Sequence, residues 1–247
     1  MAAFTLWLVA ALTAAPTLAS PPLEALRMAW DDCPTSPGAS INRLFTCDTN
    51  IGSSALFCAF SVLQPIDQII GLEIVVDVQH SLSSLPDYWR LGPSPQCRHD
   101  MLSASVDFSA ANECASPGFT GAVLQDYLIT EPRGLQSQAR IKAVVFVPSP
   151  ETRSVANDTT YHAVRLVFSH DRTVNVNVCT GCASPACLVL NSVTVRRVKG
   201  AFGGDITLSG PGPGNANWAF WRSVVGADCS LVPVRTLTWG SVKSLYR

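Results

Sequence analysis

The chain has 247 residues, of which 47% are hydrophobic and only 14% are charged. This composition excludes an intrinsically disordered protein, because such chains are poor in apolar residues and rich in charge. Seventeen Lys and Arg residues against 18 Asp and Glu residues give a net charge of −1, so no basic surface for nucleic acid or an anionic membrane is expected.

The first segment has the pattern of a secretory signal peptide. An apolar run extends from Ala2 to Ala15, and Thr17 and Ala19 occupy the −3 and −1 positions of a cleavage site after Ala19. An uncleaved anchor is the alternative, although a membrane span normally needs ~20 apolar residues. We expect residues 1–19 to be removed and the remainder to be exported to the extracellular space, cell surface or periplasm, with no membrane span left after cleavage.

Residues 20–63 are predicted to form an N-terminal arm that contains cysteines. The stretch from Pro22 to Trp30 could form a helix of about two turns, and residues 31–54 are rich in turn formers. Within this stretch, Asp48-Thr-Asn50-Ile-Gly has a spacing with which a tight loop can present the side-chain oxygens of Asp48 and Asn50 to calcium. A turn without any ion explains the same residues, so both interpretations stay open.

Alternating apolar residues indicate strands after this arm. Leu72, Ile74, Val76 and Val78 share one face of the first long strand. Similar patterns follow at residues 102–108, 122–130, 140–147, 161–170, 173–179, 187–196 and 205–208. Gly- and Pro-rich turns separate them, without the helices of an α/β fold. Residues 64–210 are therefore predicted to form an antiparallel β-sandwich of jelly-roll or Greek-key type, with residues 211–247 as a short C-terminal tail packed on it.

Nine cysteines in an exported chain are typical of a disulfide-stapled domain. The simplest bridges are the local pairs Cys33–Cys47 and Cys97–Cys114. Because nine is odd, one thiol is expected to be free, and Cys58 is the candidate because it lies in the apolar run 55–60. The remaining candidates for bridges are Cys179, Cys182, Cys187 and Cys229. These four could instead form an all-cysteine zinc site, but an oxidising compartment favours bridges.

The sequence has none of the common catalytic motifs, such as GxSxG, HExxH or a P-loop. Glu73 and Asp77 share one face of the first long strand, and glycosidases place two carboxylates in a cleft. Four residues along a strand span ~13 Å, however, so a catalytic partner would have to come from another strand. A solvated outer face is the simpler interpretation of these two carboxylates.

Two groups of aromatic residues are candidate ligand contacts. Tyr88 and Trp89 lie in an excursion after the first long strand, where Pro86 suits the start of a short helix. Near the C-terminus, alternation places Trp218 on one face of the chain and Trp221 on the other. Exposed rings would suit sugar faces or a protein partner, whereas packing in the core is the alternative.

Residues 66–208 resemble the cohesin and carbohydrate-binding group of β-sandwiches in strand order, in the aromatic excursion, and in the late run Leu190-Asn-Ser-Val-Thr-Val195. This resemblance implies a sandwich that binds a ligand. The short signatures Trp30-Asp-Asp-Cys33, Leu85-Pro-Asp-Tyr-Trp89 and the terminal run from Thr238 to Arg247 are similar to a family of uncharacterised exported bacterial proteins. That second resemblance implies no function.

The sequence thus favours an exported module that binds a carbohydrate or a partner protein over an enzyme. One alternative is a glycoside-active enzyme that combines Glu73 or Asp77 with a carboxylate from another strand. The other is a purely structural envelope protein. Two carboxylates in one cleft would favour the enzyme, and a solvent-facing aromatic platform would favour the binding module.

Overall fold

The computed structural model describes residues 24–111, 113–210, 217–222 and 229. The predicted signal peptide, residues 1–19, and most of the predicted tail lie outside these residues. The strands are β1 (Ala25–Trp30), β2 (Asn42–Arg43), β3 (Ser53–Ser61), β4 (Ile66–His80), β5 (Leu102–Ser105), β6 (Gly121–Ile129), β7 (Gln138–Phe146), β8 (Arg153–Val155), β9 (Tyr161–Ser169), β10 (Ala186–Arg197), β11 (Ile206–Ser209) and β12 (Trp218–Trp221). In the described part of the chain, no helix has the length and apolar character needed to cross a membrane.

The strands form two sheets. The small sheet has the order β1-β3-β9-β5, and the large sheet has the order β2-β12-β10-β4-β7-β6, with β11 also paired to β10 and β8 to β4. Neighbouring strands are antiparallel, except that β2 runs parallel to β12. The predicted all-β, mainly antiparallel fold is confirmed. Its jelly-roll or Greek-key connectivity stays a prediction.

The core contains a cluster of aromatic rings drawn from both sheets and from one loop. The Trp30 ring centroid lies 5.6 Å from Phe168 and 5.7 Å from Trp221, and Trp89 is also 5.7 Å from Trp221. Such edge-to-face pairs add about 0.5–1.5 kcal/mol each beyond the area they bury. The two sheets and the loop that carries Trp89 therefore share one hydrophobic core.

The segment predicted as an N-terminal arm supplies half of the small sheet. Its strand β1 pairs with β3 along six residues, and β3 pairs in turn with β9. Leu26, Trp30 and Leu56 are at most 1% exposed. The helix predicted for Pro22–Trp30 is wrong, because pairing with a distant strand outweighs a weak local preference. Residues 31–52 between the two strands are turn-rich, as expected.

Most of the strands predicted by alternation are present, but residues 173–179 form turns instead of a strand. Val174, Val176 and Val178 alternate with polar residues, yet Val176 is 87% exposed. The predicted short helix after Pro86 is a single 3-10 turn at Asp87–Trp89. The tail prediction also needs a correction, because β12 is an integral strand of the large sheet.

Four disulfides connect parts of the chain that are distant in sequence. The pairs are Cys33–Cys114, Cys47–Cys182, Cys97–Cys179 and Cys187–Cys229. The predicted local pairs are therefore wrong, because the topology brings loops together that the sequence separates. The zinc hypothesis is also wrong, since each of its four sulfurs is bonded to another cysteine. Cys58 is free and buried, and burial raises the pKa of its thiol to about 12.

The strand directions place the connecting loops at two ends of the molecule. One end, which we call the loop end, carries the connections 31–52, 81–101, 130–137 and 170–185. The opposite end carries the turn between β10 and β11, with Phe202 98% exposed. Cys47–Cys182 and Cys97–Cys179 both lie at the loop end and tie three of its loops together.

Candidate functional site

Three of the four aromatic residues predicted to contact a ligand are buried. Tyr88 and Trp89 are each 1% exposed and Trp221 is fully buried. The Trp221 indole nitrogen donates a hydrogen bond to the Cys182 carbonyl at 2.8 Å, and the Arg98 guanidinium lies 3.7 Å from the Tyr88 ring centroid. These rings position the loops from inside the molecule. They do not form the solvent-facing platform that the ligand hypothesis requires.

Trp218, the fourth aromatic candidate, is half-buried on the outer face of the large sheet. Its ring lies 5.9 Å from Phe220, and both pack against Cys187 and Val189. The predicted alternation along β12 is confirmed, because Trp221 points into the core and Trp218 points away from it.

The calcium hypothesis for Asp48 and Asn50 has no support from the geometry. The Asn50 side-chain oxygen accepts hydrogen bonds from the backbone N–H groups of Thr173 and Val174, at 2.8 and 2.9 Å. Asp48 accepts a hydrogen bond from the Thr46 hydroxyl at 2.6 Å. Among the described residues, no group of three or more His, Cys, Asp or Glu side chains is arranged to hold a metal ion. Asn50 instead joins two loops.

The loop end presents a group of exposed aliphatic side chains, which we call the apolar loop patch. It consists of Leu44, Ile51, Val176 and Val178, with exposures of 74%, 85%, 87% and 45%. Single exposed apolar residues are ordinary on protein surfaces, whereas a group of them marks an interaction site. The hydrogen bonds of Asn50 to residues 173 and 174 join the loop that carries Leu44 and Ile51 to the loop that carries Val176 and Val178.

A network beneath the patch holds its loops in place. The Phe45 ring stacks on His170 with centroids 3.9 Å apart. One ring nitrogen of His170 lies 3.1 Å from the Ile51 carbonyl oxygen, and the other lies 2.9 Å from the Ser54 hydroxyl. Burial lowers the pKa of His170. The neutral ring therefore joins the strands of the small sheet to the loop that carries Ile51.

A buried arginine connects the other loops of this end. Arg98 has no solvent exposure, and its guanidinium donates hydrogen bonds to the carbonyls of Tyr88 and Ser169. Burial lowers its pKa. Arg172 donates in the same way to the Cys97 carbonyl. The loop end is thus fixed by disulfides and by charged donors on backbone carbonyls.

Glu73 and Asp77 differ in environment although both point to the outer face of the large sheet. Glu73 is half-exposed and pairs with Arg196. Asp77 is completely buried and accepts hydrogen bonds from Arg140, at 2.7 and 3.0 Å, and from Asn191, at 2.6 Å. The solvated face expected for both is wrong for Asp77, because this ion pair and amide replace water around its carboxylate.

Two other carboxylates line a cavity of about 130 Å³ between the edge strands β5 and β6. These are Asp100, at the loop end, and Asp126, next to a β-bulge in β6. The cavity is also lined by Gln125 and by the apolar side chains Leu91, Pro93, Leu102 and Leu124. Neither Glu73 nor Asp77 lines it.

Comparisons with known proteins give no guide to function. No protein-family model, no curated protein and no solved structure matches the chain beyond chance.

The apolar loop patch was missed by the sequence reasoning. Val176 and Val178 lie in an alternating run that predicts a strand, and Ile51 follows Asn50 in a segment interpreted as an ion-binding or turn motif. A signal was nevertheless present, because both segments place aliphatic residues between Asn, Asp, Thr and Gly, which favour turns.

Proposed function

We propose that the chain is an exported interaction module that binds a partner protein through the apolar loop patch. The observation that carries this proposal is the grouping of Leu44, Ile51, Val176 and Val178 on loops that are cross-linked at one end of the two sheets. Four disulfides are typical of an oxidising compartment outside the cytoplasm. Such a compartment agrees with the signal-peptide pattern of residues 1–19.

A protein partner fits this patch better than a sugar does. Sugar rings are usually bound against aromatic faces, and the patch is aliphatic while three of the four candidate rings are buried. Burying a Val, Leu or Ile side chain contributes about 1.5–3 kcal/mol. Because the disulfides hold the loops before binding, little ordering entropy is lost on association.

The test is site-directed photo-cross-linking in the organism that makes the protein. A photoreactive phenylalanine analogue at Val176 should give one defined protein adduct. The same analogue at Phe202, which is even more exposed and lies at the opposite end, serves as the matched control and should not give this adduct. Excess wild-type protein should suppress the adduct at position 176. Competitor protein that carries both Ile51→Ser and Val176→Ser should need at least a tenfold higher concentration to suppress the adduct. This difference corresponds to a loss of about 1.4 kcal/mol in binding free energy.

Two results would contradict the proposal. One is the absence of an adduct at position 176 while the protein is folded and exported. The other is adduct formation that the serine variant suppresses as well as the wild type does.

A second candidate function is a glycoside-active enzyme that uses the cavity between β5 and β6. The observation in its favour is that Asp100 and Asp126 both line this cavity, and glycosidases generally act through a pair of carboxylates. Its test is hydrolysis of chromogenic glycosides by the full chain. Activity should fall at least about 100-fold in Asp126→Asn and stay unchanged in Asp158→Asn, an exposed carboxylate in a turn. Hydrolysis that Asp126→Asn leaves intact would exclude this cavity as the active site.

A further inference from the structure

The turn between β10 and β11 presents an aromatic ring to solvent. Phe202 is 98% exposed, and the turn around it contains Gly200, Gly203 and Gly204, which have no side chains to cover it. A Cβ atom added at Gly200 or Gly204 would meet no atom within 4 Å apart from its chain neighbours, so little packs around the tip of this turn. Exposed aromatic rings of this kind are enriched among the residues that anchor protein interfaces.

Hydrogen bonds fix this turn, so the ring is held in place before any partner arrives. The Arg197 guanidinium donates to the carbonyl of Phe202 at 2.6 Å and to that of Asp67, on β4, at 2.8 Å. The Asp205 carboxylate accepts from the backbone N–H of Arg197 at 3.0 Å and pairs with Arg196 at 2.7 Å. Because the turn is already ordered, docking of the ring loses little conformational entropy.

The cavity between β5 and β6 has the size and the lining to receive such a ring. Its volume of about 130 Å³ is close to that of an apolar cavity of about 150 Å³ that binds benzene. Leu91, Leu102 and Tyr127 are at most 5% exposed and form an apolar floor, and the Tyr127 hydroxyl donates its hydrogen bond to the Trp89 carbonyl. The cavity is open to solvent, so a side chain from another molecule can enter it.

The charges beside the ring and beside the cavity are opposite in sign. Lys199 lies in the same turn as Phe202, is exposed, and has no ion-pair partner among the described residues. Asp100 and Asp126 line the cavity, and the Asp100 side chain is 89% exposed. Charges of opposite sign on two surfaces favour their encounter and fix the orientation in which they meet.

We propose that Phe202 of one copy of this chain inserts into the cavity between β5 and β6 of a second copy, with Lys199 beside Asp100 and Asp126 of that copy. The cavity is lined by residues 91–93 and 100 of the loop end, and Phe202 lies at the opposite end, so the two surfaces of one copy do not overlap. Each contact leaves one ring and one cavity free, so successive copies join head to tail.

This contact is separate from the function proposed above, because the apolar loop patch takes no part in it. It competes with the second candidate function, since a bound ring would exclude a substrate from the same cavity.

Sedimentation velocity of the full chain, secreted from an oxidising host, tests this contact. The wild type should form dimers and larger species as its concentration rises from about 1 µM to about 1 mM, because a contact built around one ring is small and weak. Phe202→Ser removes the ring and should weaken association at least about tenfold. Val176→Ser is the matched control, since it removes another strongly exposed apolar side chain, and it should associate as the wild type does.

Mixing two defective variants tests the head-to-tail arrangement. Gln125→Trp places a large ring at the rim of the cavity, where residue 125 is exposed, and should block it. Phe202→Ser and Gln125→Trp should each stay monomeric alone. Their mixture should form dimers that do not grow further, because one variant supplies only the cavity and the other only the ring. Should Gln125→Trp fail to fold, Asp126→Lys places a like charge opposite Lys199 and carries the same expectation.

The proposal is overturned if the folded wild type stays monomeric at about 1 mM, or if Phe202→Ser associates as the wild type does. Oligomers that keep growing in the mixture of the two variants would also overturn it, because the contact would then use other surfaces. None of these results bears on adduct formation at Val176.

Discussion

Asp77 is completely buried although the strand pattern places it on the outer face of its sheet. Three hydrogen bonds, two from Arg140 and one from Asn191, take the place of water around its carboxylate. Hydrogen bonds to charged groups contribute about 1.5–3 kcal/mol each, which offsets the cost of removing the carboxylate from water. The burial of this residue follows from partners on two neighbouring strands, and no local pattern encodes it.

The ion pair predicts a specific response to mutation. Asp77→Leu should lower the free energy of unfolding by about 3 kcal/mol, the lower part of the range for breaking a buried pair, because Arg140 keeps some access to water. The double variant Asp77→Leu with Arg140→Leu should recover most of this loss, since no buried charge is left alone. Urea denaturation of both variants measures the difference. Equal losses in the single and double variants would contradict the expectation that an unpaired buried charge causes the loss.

At the scale of single elements, the turn that carries Gly181 shows how closely two loops approach at the loop end. Gly181 has φ of +97°, and a Cβ atom there would lie 2.2 Å from the Cβ atom of Pro86. The Tyr88 backbone N–H donates to the Thr180 carbonyl at 2.9 Å in the same region. Only glycine fits this position, because any side chain would push the two loops apart.

Gly181→Ala should therefore destabilise the protein more than an equivalent change elsewhere. Gly134 is the matched control, since its φ is +75° and open space surrounds it. A positive φ alone costs alanine about 1–2 kcal/mol, and this should be the whole effect of Gly134→Ala. Gly181→Ala should lower the thermal midpoint by several degrees more than Gly134→Ala does. Equal midpoints would mean that the Pro86 contact relaxes without cost.

The elements also show what the sequence could predict. Strand β4 was predicted because Leu72, Ile74 and Val76 face a core while polar residues face outward. Strand β1 was missed because it is short and only Arg27 interrupts its apolar residues, and because its partner β3 lies more than 20 residues further on. The run at 173–179 has the alternation of a strand, but its backbone bonds to a loop through Asn50 and not to a neighbouring strand.

At the scale of the whole molecule, buried histidines make stability depend on pH. Burial lowers the pKa values of His80, His162 and His170, and that of His162 falls to about 4. The folded protein therefore keeps these rings neutral at pH values where the unfolded chain, with a pKa near 6.5, takes up protons. Whenever the unfolded state binds more protons, stability falls as the pH falls.

The free energy of unfolding should thus decrease as the pH is lowered from about 6.5 to about 4. The part of this decrease that comes from His162 should be complete below about pH 4, because the ring is then protonated in both the folded and the unfolded protein. Urea unfolding at pH 7.5, 5.5 and 4.5 measures the slope. Carboxylates titrate in the lower part of this range, so the diagnostic quantity is the difference between the wild type and His162→Gln. Parallel slopes in the two proteins would contradict a lowered pKa at His162.

The whole-molecule features were only partly predictable. Composition and alternation predict an all-β chain with disulfides, because both depend on residue types. The pairing of the cysteines was not predictable, since Cys47 meets Cys182 only after seven strands of two sheets, β3 to β9, have been arranged. The apolar loop patch is likewise formed by residues that are distant in sequence.

The disulfide between Cys47 and Cys182 also limits how far the chain could be stretched. By the shortest covalent route, Cys33 and Cys182 are separated by 14 residues and this bridge, instead of 149 residues along the backbone. An extended chain spans at most about 3.5 Å per residue. A pulling force that broke every strand pair would therefore lengthen this region to only about a tenth of the reduced chain's contour length. Held between two attachment points, the protein would act as a short and nearly inextensible tether.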